Sequence, residues 1–379
     1  MMRDNPLLRL EALGQSIWLD FLSRRMLITG ELVSLIQQDG VSGVTSNPAI
    51  FEKAFSQGSE YDEAIAQLAV QGRKTGEIYE ELVVDDIRMT ADLLRPIYER
   101  SSGADGFVSL EVSPHLAHDS AGTILEARRL WERVDRPNLF IKVPGTWEGL
   151  PALRQLVLEG INVNVTLLFG LPRYRAVVEA YLDGLAERSA RGLPLAGVTS
   201  VASFFLSRID VMVDPLLEEI AQQGGGRGQQ AGQLIGETAI ACAKIARALY
   251  RDMLISDRFA ALSAQGAKPQ RLLWASTGTK NPSYSDVKYL EALIGPETVN
   301  TAPLETLVAY RDHGRPAPTL DLGQQEARQV LQRLTELGVD LDVVSRQLED
   351  DGVQKFIRPF DSLMQALERK RLAALNRQG

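Results

Sequence analysis

The sequence predicts a (β/α)8 barrel, the TIM-barrel architecture, with additional helices. Eight short apolar runs recur along the chain, each followed by a turn and a longer stretch of helical periodicity. Strands alternating with helices build a parallel sheet, and eight such units close it. Polar residues fall at the C-terminal ends of these runs, where a barrel gathers its active residues. The alternative, an open doubly wound sheet, lacks its usual mark: no G-x-G-x-x-G opens a helix after the first strand.

Taken in order, the strands are expected at 16–20, 43–46, 106–111, 139–143, 161–166, 197–203, 271–276 and 298–302. Leu153, Leu156, Val157 and Leu158 mark a helix between the fourth and fifth, and Ile209, Val213, Leu216 and Leu217 one after the sixth. The gap between the second and third strands admits extra helices over 59–71 and 75–101. The run Gly224-Gly225-Gly226-Arg227-Gly228-Gln229-Gln230 reads as a flexible surface loop. From Gly323 onward Ala327, Val330, Leu331, Leu334 and Leu337 trace one helical stripe, and residues 360–375 trace another. No linker separates this tail, so residues 1–379 are expected to form a single domain, with C-terminal helices from about 323 packed on the barrel.

Composition bounds the function. With 45% hydrophobic and 24% charged residues the chain has the profile of a soluble globular protein with a sizeable core. A net charge of −8 argues against general affinity for nucleic acid or an anionic membrane, so any bound anion must be held by a few local cations. No apolar stretch reaches the length of a membrane span. The N-terminal segment carries Asp4, Glu11 and Asp20 among its apolar residues, unlike a signal peptide. Cys242, the lone cysteine, lies in the apolar run AIACAKIA and is expected to be a buried, inert thiol. With no internal disulfide possible, the expected compartment is the reducing cytoplasm.

The chemistry centres on Lys142, which follows Leu139-Phe140-Ile141 and precedes Val143-Pro144-Gly145-Thr146-Trp147. An unperturbed lysine is only about 0.04% neutral at pH 7, so a reactive one must be desolvated or set beside another cation. A desolvated amine can attack a carbonyl and form a Schiff base. The plain alternative is a snorkelling lysine with its ammonium in water. Its company weighs against that: Asp20, Asn47, Glu111, Asn164, Thr166, Ser203 and Ser276 also end strands, and a barrel brings such residues to one mouth. Glu111 lies on a strand expected to be buried, where an unpaired charge is costly, and Lys142 is its natural partner. His115, His118 and Asp119 cluster, but with His313 distant no metal site is expected.

These residues lie in six blocks that resemble the transaldolase family in order: GVTSNPAIF (43–51), VSLEVSPHLAHD (108–119), FIKVPGTWEGL (140–150), INVNVTLLFG (161–170), SVASFFLSRID (200–210) and WASTGTKNP (274–282). The long form of the last block is similar to the longer-chain bacterial branch. The resemblance implies that Lys142 forms a Schiff base with C2 of a ketose phosphate such as fructose 6-phosphate or sedoheptulose 7-phosphate. It implies Asp20 as the base that takes the C4 hydroxyl proton. Glu111 and Thr166 match the pair that holds a water for proton transfers, and Asn47 and Asn164 match the amides that bind the three-carbon fragment. Ser203, Arg208 and Ser276 match phosphate ligands. Many relatives carry an arginine just beyond that last serine, where here the nearest cation is Lys280 after a longer loop. The enamine left by cleavage attacks an aldose phosphate, glyceraldehyde 3-phosphate or erythrose 4-phosphate, in the nonoxidative pentose phosphate pathway. No cofactor is implied, because the protonated imine itself is the electron sink. Two other readings remain at this level: a lysine-dependent aldolase that releases free dihydroxyacetone, and a noncatalytic sugar-phosphate-binding barrel.

Overall fold

The computed structural model of the chain describes residues 5–376. Eight strands close into a barrel in chain order: β1 (Gln15–Leu19), β2 (Gly43–Thr45), β3 (Phe107–Glu111), β4 (Leu139–Pro144), β5 (Val163–Leu168), β6 (Ser200–Phe205), β7 (Arg271–Ala275) and β8 (Thr298–Ala302). Neighbours are parallel throughout, and β8 closes on β1 from Gln15↔Thr298 to Leu19↔Ala302. This is the expected (β/α)8 barrel. The largest displacement is in β6, which begins at Ser200 rather than 197. Asn162 explains it: its Nδ2 donates to Pro137 O and Leu139 O at 3.1 and 3.2 Å, and its Oδ1 accepts from Thr199 N at 2.9 Å. The residues entering β5 and β6 are therefore tied by a side chain as well as by the backbone bond from Val163 N to Thr199 O.

Strand alternation sorts the interior into levels. Trp18 on β1 lies 6.1 Å, ring to ring, from Phe140 on β4, and Phe107 on β3 lies 4.3 Å from Phe140. Since β1 and β4 are not neighbours, these rings meet across the lumen and plug it. Gly43 makes room: a Cβ there would stand 2.5 Å from the Trp18 ring. Two residues beyond Trp18 and Phe140, and four beyond Phe107, come Asp20, Lys142 and Glu111 on the same inward side. A packed aromatic floor thus sits directly beneath the polar mouth.

The outer helices depart from expectation at two places. Residues 224–230, expected to be a flexible loop, enter the helix Gly225–Gly232. The glycines permit close packing rather than freedom: a Cβ on Gly228 would approach Ala221 O to 2.8 Å, while Ala231 is buried and Arg227 Nη2 donates to Leu337 O at 2.9 Å. The stripe over 360–375 is the second half of one helix of 36 residues, Leu341–Asn376, which runs through Pro359. Burial of Val344, Leu348, Val353 and Phe356 before the proline and of Leu363 and Leu367 after it holds the helix across a residue that usually ends one. The helix packs on Pro48–Gln57, Asp62–Val70 and Ser207–Gln222 and reaches β5, so it lies across the C-terminal mouth of the barrel. Among the described residues, no helix is long and apolar enough to cross a membrane.

Candidate active site

Lys142 and Glu111 are register partners on β4 and β3, so their side chains leave the sheet side by side. Lys142 Nζ lies 3.2 Å from Glu111 Oε2 and donates to Ser46 O at 3.0 Å. Both side chains are buried, with 6% and 8% of their surface exposed, so the pair is well removed from bulk water. Burial pushes the Glu111 carboxyl up from its ordinary value, and the Lys142 ammonium pulls it partly back. A carboxylate raised in this way takes a proton more readily from the ammonium beside it.

Asp20, just past the end of β1, accepts from Thr45 Oγ1 at 2.7 Å, and Thr45 Oγ1 lies 2.7 Å from Thr301 Oγ1. Burial pushes Asp20 up too; Lys142, the Thr45 hydrogen bond, Arg208 and Lys280 act in the other direction. Asp20 and Glu111 thus share the field of one lysine. On β5, Asn164 donates to Ser109 Oγ at 3.0 Å and accepts from Ser203 Oγ at 2.6 Å. Thr166 Oγ1 is buried with no partner among the described residues, leaving its hydroxyl available. Asn47 caps the helix Pro48–Gln57, its Oδ1 accepting from Ala49 N and Ile50 N, which turns its Nδ2 into the group left for a ligand.

A candidate anion site assembles where β6 and β7 finish. Arg208 lies in the first turn of the helix Ser207–Gln222, and its Nη1 is buried without a partner among the described residues. Burial pushes its guanidinium down from the ordinary value, opposed by the fields of Asp20, Asp351 and Glu111. Ser276 Oγ lies 2.9 Å from Ser207 Oγ, and Ser276 holds a left-handed φ of 54°. A helix N-terminus, two hydroxyls and an unpartnered guanidinium form a ready anion site. Lys280 is exposed at the rim. Ser203 lies elsewhere: two residues before β6 ends, it is buried against Asn164, one level below Arg208 and Ser276.

Several participants carry no local signal in the sequence. Ser46 supplies a carbonyl, which no side-chain motif reveals, and Ser207 carries no mark that sets it apart between Ser203 and Arg208. Phe356 comes from the distant C-terminal helix; its ring centre lies 5.7 Å from Lys142 Nζ and 5.9 Å from Arg208 Cζ. Trp147, by contrast, does not cover the lysine: it is 62% exposed, with the Arg173 guanidinium 4.2 Å from its ring centre. His115 and His118 turn to separate partners, Asp361 at 2.7 Å and Glu148 at 3.2 Å.

Residues 17–367 match the family model described as transaldolase/fructose-6-phosphate aldolase. The chain belongs to that family. It is an enzyme of the transaldolase class, and its curated relatives agree. A transaldolase of Thiobacillus denitrificans is 50% identical over 352 residues, covering 93% of this chain and 96% of the relative. A transaldolase of Saccharopolyspora erythraea is 49% identical over 362 residues, covering 94% and 96%. A protein named transaldolase 2 from a Nostoc species is 47% identical over 371 residues, covering 97% of each. The site described above lies wholly within the matched region.

Proposed function

We propose that this family member transfers a dihydroxyacetone unit from fructose 6-phosphate or sedoheptulose 7-phosphate to glyceraldehyde 3-phosphate or erythrose 4-phosphate through a Schiff base on Lys142. The observation that carries the reading is the buried ion pair of Lys142 with Glu111 at the mouth of the barrel, within the field of Asp20. Lys142 passes a proton toward Glu111 and attacks C2 of the ketose. Glu111 and Thr166 hold the water that shuttles protons while the carbinolamine loses hydroxide and becomes the imine. Asp20, ionised, takes the C4 hydroxyl proton as the C3–C4 bond breaks, and the electron pair moves into the protonated imine. The resulting enamine attacks the acceptor aldehyde, and the steps reverse.

Asn47 and Asn164 bind the hydroxyls of the three-carbon fragment. Ser203 holds Asn164 in position, which its 2.6 Å bond supports better than a direct phosphate contact. Arg208, Ser276 and Ser207 grip the phosphate, with Lys280 adding a point charge from the rim. We place this work in the cytoplasm, within the nonoxidative pentose phosphate pathway, and treat the barrel and the helices packed on it as one domain.

Borohydride reduction in the presence of fructose 6-phosphate, followed by peptide mass spectrometry, tests the reading. A reduced adduct is expected on the Lys142 peptide, and its absence would sink the mechanism. Lys142→Ala should abolish transfer, while Glu111→Gln should slow imine formation in single-turnover measurements.

A further inference from the structure

We infer that Phe356, on the C-terminal helix, shields the intermediate on Lys142 from water and so directs the three-carbon unit to the acceptor aldehyde. The inference rests on the Schiff-base reading above. Phe356 is 5% exposed, and its ring centre is in range of both cations of the site, 5.7 Å from Lys142 Nζ and 5.9 Å from Arg208 Cζ. The ring therefore forms an apolar wall beside both the amine that would carry the intermediate and the guanidinium that would bind phosphate. It has no hydrogen-bonding group with which to lead a water inward.

The helix that presents it is held closely over β5. A Cβ on Gly352, one turn before Phe356, would lie 3.0 Å from Leu167 Cδ2, and Leu167 itself has a left-handed φ of 61°. Glu349 pairs with Arg173 at 2.8 Å, with both side chains largely buried. Close backbone approach and this ion pair fix the ring's height above the lysine.

The chemistry needs such a wall. After the first aldose phosphate leaves, the enamine has two fates. Its C3 can attack an acceptor carbonyl, forming the new carbon–carbon bond. Alternatively C3 takes a proton, water adds to C2 of the resulting iminium, and the C–N bond breaks, releasing dihydroxyacetone and free lysine. The second fate consumes one water and needs no other reactant. A phenyl ring beside the enamine disfavours it by keeping bulk water, and the proton it would bring to C3, away, while the one water held by Glu111 and Thr166 still serves the imine hydrolysis that both fates share.

The test compares full-length wild type with Phe356→Leu and Phe356→Ala, supplied with fructose 6-phosphate and an acceptor aldose phosphate. The measured quantity is dihydroxyacetone released relative to dihydroxyacetone transferred. The ratio should rise in the order Phe, Leu, Ala, reaching at least about tenfold in Phe356→Ala, with borohydride still labelling Lys142. If Phe356→Ala does not fold, the closer-volume leucine variant reads the same ratio. Val353→Ala, which loosens the same helix through another buried side chain, should leave the ratio unchanged. Equal losses of release and transfer in the Phe356 variants, or an equal rise in Val353→Ala, would overturn the inference by showing that the ring only anchors the helix. An unlabelled Lys142 in the wild type would overturn the underlying mechanism as well.

Discussion

Replacing Arg208 by methionine removes the guanidinium while keeping much of its apolar stem. The Nη1 atom is buried and unpartnered, and no protein carboxylate pairs with this side chain within salt-bridge distance among the described residues, so its charge is available to substrate. A bidentate grip on phosphate offers two charge-assisted bonds worth about 1.5–3 kcal/mol each, less the cost of stripping water from both partners. Taking about 3–4 kcal/mol as the net, kcat/KM for fructose 6-phosphate should fall about 10²–10³-fold. Lys280 is exposed, and contributions from exposed ion pairs stay below about 1 kcal/mol, so Lys280→Met should cost no more than about fivefold. The assay is kcat/KM for fructose 6-phosphate divided by kcat/KM for unphosphorylated fructose, with one acceptor throughout. A phosphate grip lowers that quotient, whereas a general disturbance of the site lowers both values together. An unchanged quotient in Arg208→Met, or a larger loss in Lys280→Met, refutes the assignment.

Two further perturbations probe the other halves of the site. Asp20 must be ionised to act as a base, and burial raises its pKa above the ordinary 3.8, so activity should fall as pH drops through that raised value. Thr45→Val deletes the 2.7 Å hydrogen bond that favours the ionised form, and should move the acidic limb of the kcat/KM profile up by about one pH unit; an unmoved limb would assign it to another group. Gly352→Leu drives a branched side chain into Leu167 and Phe169, where even a Cβ meets atoms at 3.0 and 3.4 Å. Thermal denaturation should show a loss of about 1–3 kcal/mol, and unchanged stability would mean that the helix yields at this point.

What the sequence made legible was whatever repeats with the strand. Lys142, Glu111, Asn164 and Thr166 interrupt apolar strands, and pairing places Glu111 opposite Lys142, Lys142 opposite Asn164 and Pro144 opposite Thr166. Residues at matching heights on adjacent strands must meet once the barrel closes, so their assembly could be read from spacing alone. Ser203 shows where that logic blurs. It stands two residues before β6 ends, at the level of Asn164 and below Arg208 and Ser276, which follow the ends of β6 and β7. Phe356 and the glycine-rich helix lay outside this logic. Both depend on how one outer helix meets another surface, through Gly352 against Leu167 and Gly228 against Ala221, and such contacts leave no periodic trace in their own segments.

The same geometry explains why the mouth has two unlike halves. Toward β3, β4 and β5 the C-terminal helix roofs the site, and Lys142, Glu111 and Thr166 are buried beneath it. Toward β7 the helix makes no comparable contact, and Ser276 and Lys280 retain access to solvent. Backbone strain marks the border, with Leu167 ending the covered half and Ser276 opening the other, both at positive φ. A substrate whose charged phosphate stays near water while its carbonyl enters a dry pocket fits this division. Under the mechanism proposed above, a phosphate kept toward the rim is spared the full cost of burial, and an imine kept under the roof is guarded from bulk water. A transfer enzyme needs both conditions at once, and a roof built over only half of the barrel supplies them.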